Sequence, residues 1–237
     1  MSLFFEACKE LLFPAYCLEC ERRLPCWKLP LFCSDCLAEL SFISSPLCPA
    51  CGLPFECGED HLCGKCLTKP YAFGRARAAL LYRKPIITTI SALKFTGQLA
   101  GVSSMASLAR NSPGCQDLSK PDLILPVPLH IKRLKARGFN QATTLAKACF
   151  PEMNHLINTS LLVRCRATFP QTKLNGKERR KNLSGAFTIN QSAAINNKSI
   201  LLIDDVFTTG STVDECAKVL RKAGAKRIEV FTLARAI

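Results

Sequence analysis

The sequence predicts an α/β fold, a parallel sheet flanked by helices, preceded by a small cysteine-rich domain. Three observations predict it. Four Cys-x2-Cys pairs crowd the start of the chain, and short apolar runs alternate with helical patterns after residue 71. Between them these patterns imply a metal-stapled module and a strand–helix–strand domain. The third is the stretch "LLIDDVFTTGSTVDECAKVLRKAGA" (201–225), in which an apolar run meets two adjacent aspartates and opens through a Thr/Gly/Ser loop into an amphipathic helix. With 237 residues, 48% hydrophobic and 21% charged, the chain is long enough for one large domain or two small ones. The expected division is 1–70 and 71–237.

The pairs are Cys17/Cys20, Cys33/Cys36, Cys48/Cys51 and Cys63/Cys66. Two thiolates three residues apart on a tight turn reach one tetrahedral zinc ion, and a second pair completes the site. "CLECERRLPC…CSDC" aligns with "CPACGLPFEC…CGKC" at an offset of 31 residues, slipping to 30 at the last pair, so the module is duplicated. A repeat favours sequential sites, Cys17, Cys20, Cys33 and Cys36 on one ion and Cys48, Cys51, Cys63 and Cys66 on another. The competing arrangement interleaves the pairs. Either way about two zinc ions fully ligated by thiolate are expected, structural in role because no ligand position stays open. Cys26 and Cys57 recur in the repeat but are surplus to four-coordination. Cys8, Cys115, Cys149, Cys165 and Cys216 lack partners at ligand spacing and read as small apolar residues.

Charge is unevenly placed. Residues 1–70 hold six Lys and Arg against nine Asp and Glu, a net of −3, whereas 71–237 carry +17 of the total +14. The basic part suits a polyanion or a phosphate-rich small molecule; a solvated surface is the bland alternative. No apolar run reaches the ~20 residues of a membrane span. The start "MSLFFEACKELLFPAYC" breaks its apolar stretch with charges, so a cytoplasmic location is expected.

In the second part, "RARAALLY" (75–82) reads as a strand whose Arg75 and Arg77 are expected to face solvent. "PIITTISALKFTG" and "LAGVSSMASLAR" read as helical stretches broken near Gly97. "DLILPVPL" (122–129) is a buried strand leading into a loop, and "NQATTLAKAC" a helix capped by Asn140. "LLVRC" (161–165), "GAFTI" (185–189), "SILLIDDV" (199–206) and "RIEVFTLAR" (227–235) are further strands, with a helix from Thr212 to Ala223, ended by Gly224, between the last two.

Ligands of such sheets bind beyond the carboxyl ends of the strands, where Asp204 and Asp205 emerge. Backbone N–H groups around Thr208, Thr209, Gly210, Ser211 and Thr212 are expected to line one concavity at a helix N-terminus, a cradle for phosphate. The paired carboxylates would accept hydrogen bonds from vicinal hydroxyls of a sugar whose phosphate fills the loop. Ribose 5-phosphate satisfies both halves.

At these residues, "LLIDDVFTTGST" resembles the phosphoribosyl-pyrophosphate (PRPP) motif of type I phosphoribosyltransferases. With "LPVPLHIKRLKARGFNQATTLA", "QTKLNGKERRKNLSGAF" and the cysteine-rich front, the chain resembles the ComF family, including its ComFC and GntX types, associated with competence for DNA uptake. That resemblance implies a type I phosphoribosyltransferase fold with a zinc-ribbon-like domain in front. It implies that Lys132, Arg133, Arg137 and Gly138 face pyrophosphate, with Asn140 and Gln141 shaping the next helix, and that magnesium accompanies PRPP. Gln171, Thr172, Arg179 and Asn182 match the pattern of a mobile hood. By residue type alone, "IKRLK" reads as a solvated face and "KERRK" (177–181) as a charged surface turn or a nucleic-acid contact.

The chemistry implied is incomplete. A departing pyrophosphate needs counter-charge, which is present, but no acceptor-activating residue is visible. Purine-salvage members of the superfamily carry an acidic residue where Thr208 stands, and Ser2 occupies the place of an amino-terminal glutaminase cysteine. Three readings follow. One is a ComF-type protein that binds PRPP or ribose 5-phosphate and is linked to DNA uptake, with single-stranded DNA and competence proteins as partners. The others are an active phosphoribosyltransferase with an unknown acceptor, and a PRPP sensor without turnover.

Overall fold

Strands β5 (Ser199–Phe207) and β6 (Arg227–Arg235) run side by side for nine residues each and organise the carboxy-terminal domain. The structure, a computed structural model, describes residues 14–26, 28–96, 100–167 and 183–237. Among these, β1 (Arg75–Leu81) pairs with the outer edge of β6, and β2 (Leu123–Pro126) with the outer edge of β5, giving a sheet of order β1-β6-β5-β2, parallel throughout. A parallel sheet is covered on both faces, which is why its strands read as continuous apolar runs.

The period-two alternation of side chains decides which face each residue serves. Leu201, Ile203, Phe231 and Leu233 join one core with Ile90, Met105 and Leu145. Their neighbours Ile200, Leu202, Ile228 and Val230 join a second core with Val213, Cys216 and Leu220. Helices α3 (Ile86–Thr96), α4 (Ala100–Arg110) and α7 (Gln141–Cys149) cover the first face, and α8 (Ser211–Lys222) the second. Short α5 (Pro113–Gln116), begun by Ser112 accepting from the Cys115 N–H at 3.2 Å, packs on β1. Asn140 caps α7 as expected, its Oδ1 accepting from the Ala142 N–H at 3.0 Å.

Three expectations change. "HIKRLKAR" is a helix, α6 (Ile131–Arg137), not a loop. It buries none of its residues and therefore shows no apolar period; its ends are set instead by His130, whose Nδ1 accepts from the Lys132 N–H, and by Gly138 in the left-handed region. Strands β3 (Leu162–Arg164) and β4 (Phe187–Ile189) pair antiparallel with each other, apart from the main sheet. Finally, Arg75 and Arg77 do not face solvent. Arg75 bonds Glu229 at 3.0 Å and Asp117 at 3.1 Å, while Arg77, buried, bonds Asp117 at 2.6 Å and the Pro49 carbonyl at 3.0 Å.

The cysteine-rich segment folds as two copies, each with a short helix at its second pair: α1 (Ser34–Ala38) and α2 (Gly64–Thr68). The copies pack on different faces of the sheet. Cys17, Cys33 and Cys36 belong to the first core, and Cys48, Cys51, Cys63 and Cys66 to the second. The backbone of the second copy touches β1 directly, with the Ala76 N–H donating to Ala50 O at 2.8 Å. At Gly52 φ is +69°, and a Cβ would stand 2.7 Å from the Ala76 carbonyl, so only glycine permits this approach.

Glu229 ties this side together, accepting from the Ser119 N–H and hydroxyl as well as from Arg75. Burial alone would raise its carboxyl, but the Ser119 bonds and the Arg75 guanidinium outweigh that and hold it below the ordinary glutamate value. Its stabilising contribution is therefore complete above about pH 4.5 and lost as the pH falls through its lowered value. Urea denaturation across pH 3–7 is expected to show Glu229→Gln destabilised by about 2–3 kcal/mol near neutrality and the gap closing in acid.

Candidate functional site

The question raised by the adjacent aspartates is answered by strand geometry. β5 continues through Phe207, held by pairing of Val206 with Ala234 and Phe207 with Arg235, so both aspartates lie within the strand rather than past its end. Successive side chains on a strand take opposite faces. Asp204 thus falls on the α8 face, where its charge acts on buried Cys216 and on Arg164. Asp205, 6% exposed, falls on the other face, within electrostatic reach of Arg137. Their carboxylates also satisfy local backbone donors: Asp204 Oδ1 accepts from the Asp205 N–H at 2.9 Å, and Asp205 Oδ1 from the Val206 N–H at 2.8 Å.

The loop is shorter than expected, Thr208–Gly210, and α8 begins at Ser211. Gly210 precedes the first turn with φ +72°, and a Cβ there would lie 2.5 Å from Phe207 Cζ and 2.9 Å from Tyr71 Cε1. Its carbonyl accepts the Asp214 N–H at 2.9 Å, starting a 12-residue helix whose amino end carries the positive pole of the macrodipole. Thr209 Oγ1 and Ser211 Oγ are 2.8 Å apart; Thr208 is exposed, and Thr209 and Thr212 half-buried. The five residues expected at the loop are therefore contiguous around one helix terminus.

Arginines of α6 and β3 lie within electrostatic reach of Asp204 and Asp205. Lys132 and Arg133 are exposed on α6, and Arg137 ends that helix, donating to Gln141 Oε1 at 2.6 Å, with Gly138 following at φ +82°. Partial burial lowers the Arg137 guanidinium from its usual range; Asp205 opposes this and Arg133 adds to it. Arg164 on β3 was not singled out in the sequence. It is buried, its guanidinium 5.3 Å from the Phe187 ring centre, and lowered first by burial and then by Arg133, with Cys216 and Asp204 opposing. Arg137 and Arg164 thus couple electrostatically to Asp205 and Asp204 respectively. Gln171, Thr172, Arg179 and Asn182, expected in a hood, lie outside the described residues.

Two more residues reach the loop from the cysteine-rich segment and the chain just after it. Lys65 Nζ and Tyr71 Oη both donate to the Thr209 carbonyl, at 2.7 and 2.9 Å. Neither carries a local signal for this contact, because each lies well over a hundred residues from Thr209.

The cysteines resolve into the sequential sets. The sulfurs of Cys17, Cys20, Cys33 and Cys36 lie within 4.8 Å of one another, as do those of Cys48, Cys51, Cys63 and Cys66. Tetrahedral zinc with Zn–S near 2.3 Å requires sulfurs about 3.8 Å apart; Cys20–Cys33 is 3.6 Å and Cys51–Cys63 is 3.7 Å. Outer donors fit thiolates too: the Cys63 N–H points at Cys48 Sγ, and Arg235 Nη2 lies 3.5 Å from Cys51 Sγ. Both sets fit structural zinc. Cys26 and Cys57 are exposed and stand outside them. Cys149 and Cys216 are buried and Cys115 half-buried, in keeping with apolar roles; Cys165, just past β3, is exposed, with its Sγ 3.6 Å from the Gly185 carbonyl; and Cys8 lies outside the described residues.

Two family models match the chain. Residues 8–67 match the double zinc ribbon domain, and 144–237 the phosphoribosyl transferase domain. The chain is 33% identical over 230 residues to competence protein F of Haemophilus influenzae, covering 93% of this chain and 96% of that one. It is 34% identical over 228 residues to the DNA utilization protein YhgH of Escherichia coli O157:H7, covering 90% and 97%. Competence protein ComFC of Bacillus subtilis is 26% identical over 214 residues, covering 86% and 83%. Among the described residues no helix is long and apolar enough to cross a membrane.

Elemental analysis of the purified full chain is expected to give about two zinc ions, falling to about one in Cys17→Ser and in Cys48→Ser separately. Loss of both ions from either variant would show that the sites are not independent.

Proposed function

As the chain belongs to the ComF family, together with competence protein F, YhgH and ComFC, we propose that its phosphoribosyltransferase domain binds PRPP or ribose 5-phosphate in the service of DNA uptake. The observation that carries this reading is the carboxyl end of β5. There an acidic pair, a glycine-capped loop on a helix amino terminus, and Arg133, Arg137 and Arg164 stand together. A monophosphate suits the Thr208–Thr212 backbone and hydroxyls. Asp204 and Asp205 suit the ribose hydroxyls, and the arginines suit a pyrophosphate. Magnesium would come with PRPP, since pyrophosphate oxygens and one or two carboxylates satisfy it, and Asp204 and Asp205 are the carboxylates at hand. No residue is assigned to activating an acceptor, so binding is the primary reading and phosphoribosyl transfer the alternative.

Calorimetric titration with PRPP tests it. Wild-type affinity is expected to rise with magnesium and to fall at least about tenfold in Asp204→Asn and Asp205→Asn, the loss of one charge-assisted hydrogen bond. Equal weak heats from wild type and variants would dismiss the site.

The relatives' names, with the +17 charge of residues 71–237, support single-stranded DNA as a second ligand. Real phosphate contacts make affinity fall steeply and linearly on logarithmic axes as salt rises. A steep fall between 50 and 200 mM salt is expected for a single-stranded oligonucleotide, on the order of 10³-fold for about six contacts; a flat series speaks against the DNA role.

A further inference from the structure

We infer that the second zinc ribbon is part of the anion site, with Lys65 and Tyr71 as positioning residues that fix the Thr209–Gly210 peptide. This rests on the reading of the β5 loop as a phosphate cradle. A trans peptide is planar, with its C=O and N–H pointing in opposite directions. Two donors, Lys65 Nζ at 2.7 Å and Tyr71 Oη at 2.9 Å, hold the Thr209 carbonyl on the ribbon side. The Gly210 N–H of the same peptide is thereby aimed away from the ribbon. A glycine in the left-handed region has little intrinsic preference to hold that orientation, so the direction of this donor is supplied from outside the loop.

The ribbon can supply it because metal ligation fixes where Lys65 stands. Lys65 lies between the ligand positions Cys63 and Cys66, in α2. Its ammonium also sits 4.9 Å from the centre of the Tyr71 ring, and Tyr71 stacks on Phe73 with ring centres 4.6 Å apart. The two donors therefore brace each other as well as the carbonyl. Just beyond them, the Ala72 N–H donates to Asp214 Oδ1 at 2.7 Å and Arg221 Nε donates to the Ala72 carbonyl, lacing this segment to α8.

A second route joins the same metal set to the same glycine. Buried Arg235 donates to the Cys51 carbonyl at 2.6 Å and lies 3.5 Å from Cys51 Sγ, while its guanidinium covers the Phe207 ring at 4.5 Å. Phe207 in turn lies against Gly210, filling the space a side chain there would need.

The repeat supplies an internal control. The position equivalent to Lys65 in the first ribbon is Asp35, which pairs with Arg22 of its own copy at 2.7 Å. One copy closes on itself; the other reaches the loop. The two ribbons thus share an architecture and differ in task.

The test uses the full, zinc-loaded chain and two readouts. Amide ¹⁵N relaxation at Gly210 and Ser211 reports the loop without any ligand; calorimetry with ribose 5-phosphate reports the site. In Lys65→Met/Tyr71→Phe the order parameter at Gly210 is expected to fall from about 0.85 to below about 0.6. Affinity for ribose 5-phosphate is expected to fall about tenfold, with zinc content unchanged. Asp35→Ala should alter neither, and Lys65→Arg, which keeps a charged donor, should recover most of the affinity that Lys65→Met loses. An unchanged order parameter overturns the positioning role, as does a loosened loop that binds ribose 5-phosphate with wild-type affinity. If wild type itself shows no heat with ribose 5-phosphate, the cradle reading fails, while relaxation still decides whether the ribbon orders the loop. Should the double variant lose zinc, Tyr71→Phe, which removes one hydroxyl and keeps the ring, decides alone, with about a threefold loss expected and wild-type behaviour overturning the proposal.

Discussion

The parallel pairing of β5 with β6 is the constraint on which the rest of the site depends. Its register runs from Ser199 opposite Arg227 to Asp204 opposite Thr232, and resumes past Asp205 with Val206 opposite Ala234 and Phe207 opposite Arg235. By holding the chain extended through Phe207, it sends Asp204 and Asp205 to opposite faces instead of leaving two carboxylates to repel each other on one loop. It also brings Arg235 beside Phe207 at the end of the sheet, so that the last strand meets the second ribbon where the loop to α8 begins. Were the pairing to end at Ile203, the aspartates, the aromatic floor and the loop would all lose their common reference.

On that frame the charges are arranged by burial as much as by proximity. Asp205 and Arg164 are both largely withdrawn from water, where electrostatic interactions are stronger than at the surface and an ion needs a partner nearby. Arginines from a solvent-exposed helix, α6, and from a small antiparallel pair, β3–β4, supply that counter-charge. The same principle operates along β1 and β6, where Arg75 and Arg77 pair with Asp117 and Glu229. Among the described residues some basic side chains thus hold the sheet together and others lie within electrostatic reach of the acidic pair, a difference that net charge cannot reveal.

Much of the fold was legible because its signals are local. The apolar runs of β1, β2, β5 and β6 and the Asn140 cap fall where pattern and turn chemistry put them. Helix α6 was not legible, since a helix with no buried face carries no apolar period and its caps, His130 and Gly138, are weak signals alone. Strand β5, read at 199–206, runs one residue further to Phe207; Asp204 and Asp205 disfavour a strand by propensity, and pairing with β6 keeps the chain extended there.

By itself the sequence determined the duplicated Cys-x2-Cys module, the alternation that makes a parallel sheet, and the order of strand, acidic pair, loop and helix, all properties of residues close together along the chain. Only the tertiary structure decided that the ribbons take opposite faces, that Arg164 joins the acidic pair, and that Lys65 and Tyr71 meet the Thr209 carbonyl. Lys65 and Thr209 are 144 residues apart. Contacts across such distances leave no periodicity to read; they exist because metal ligation and sheet pairing bring two independently patterned segments to the same place.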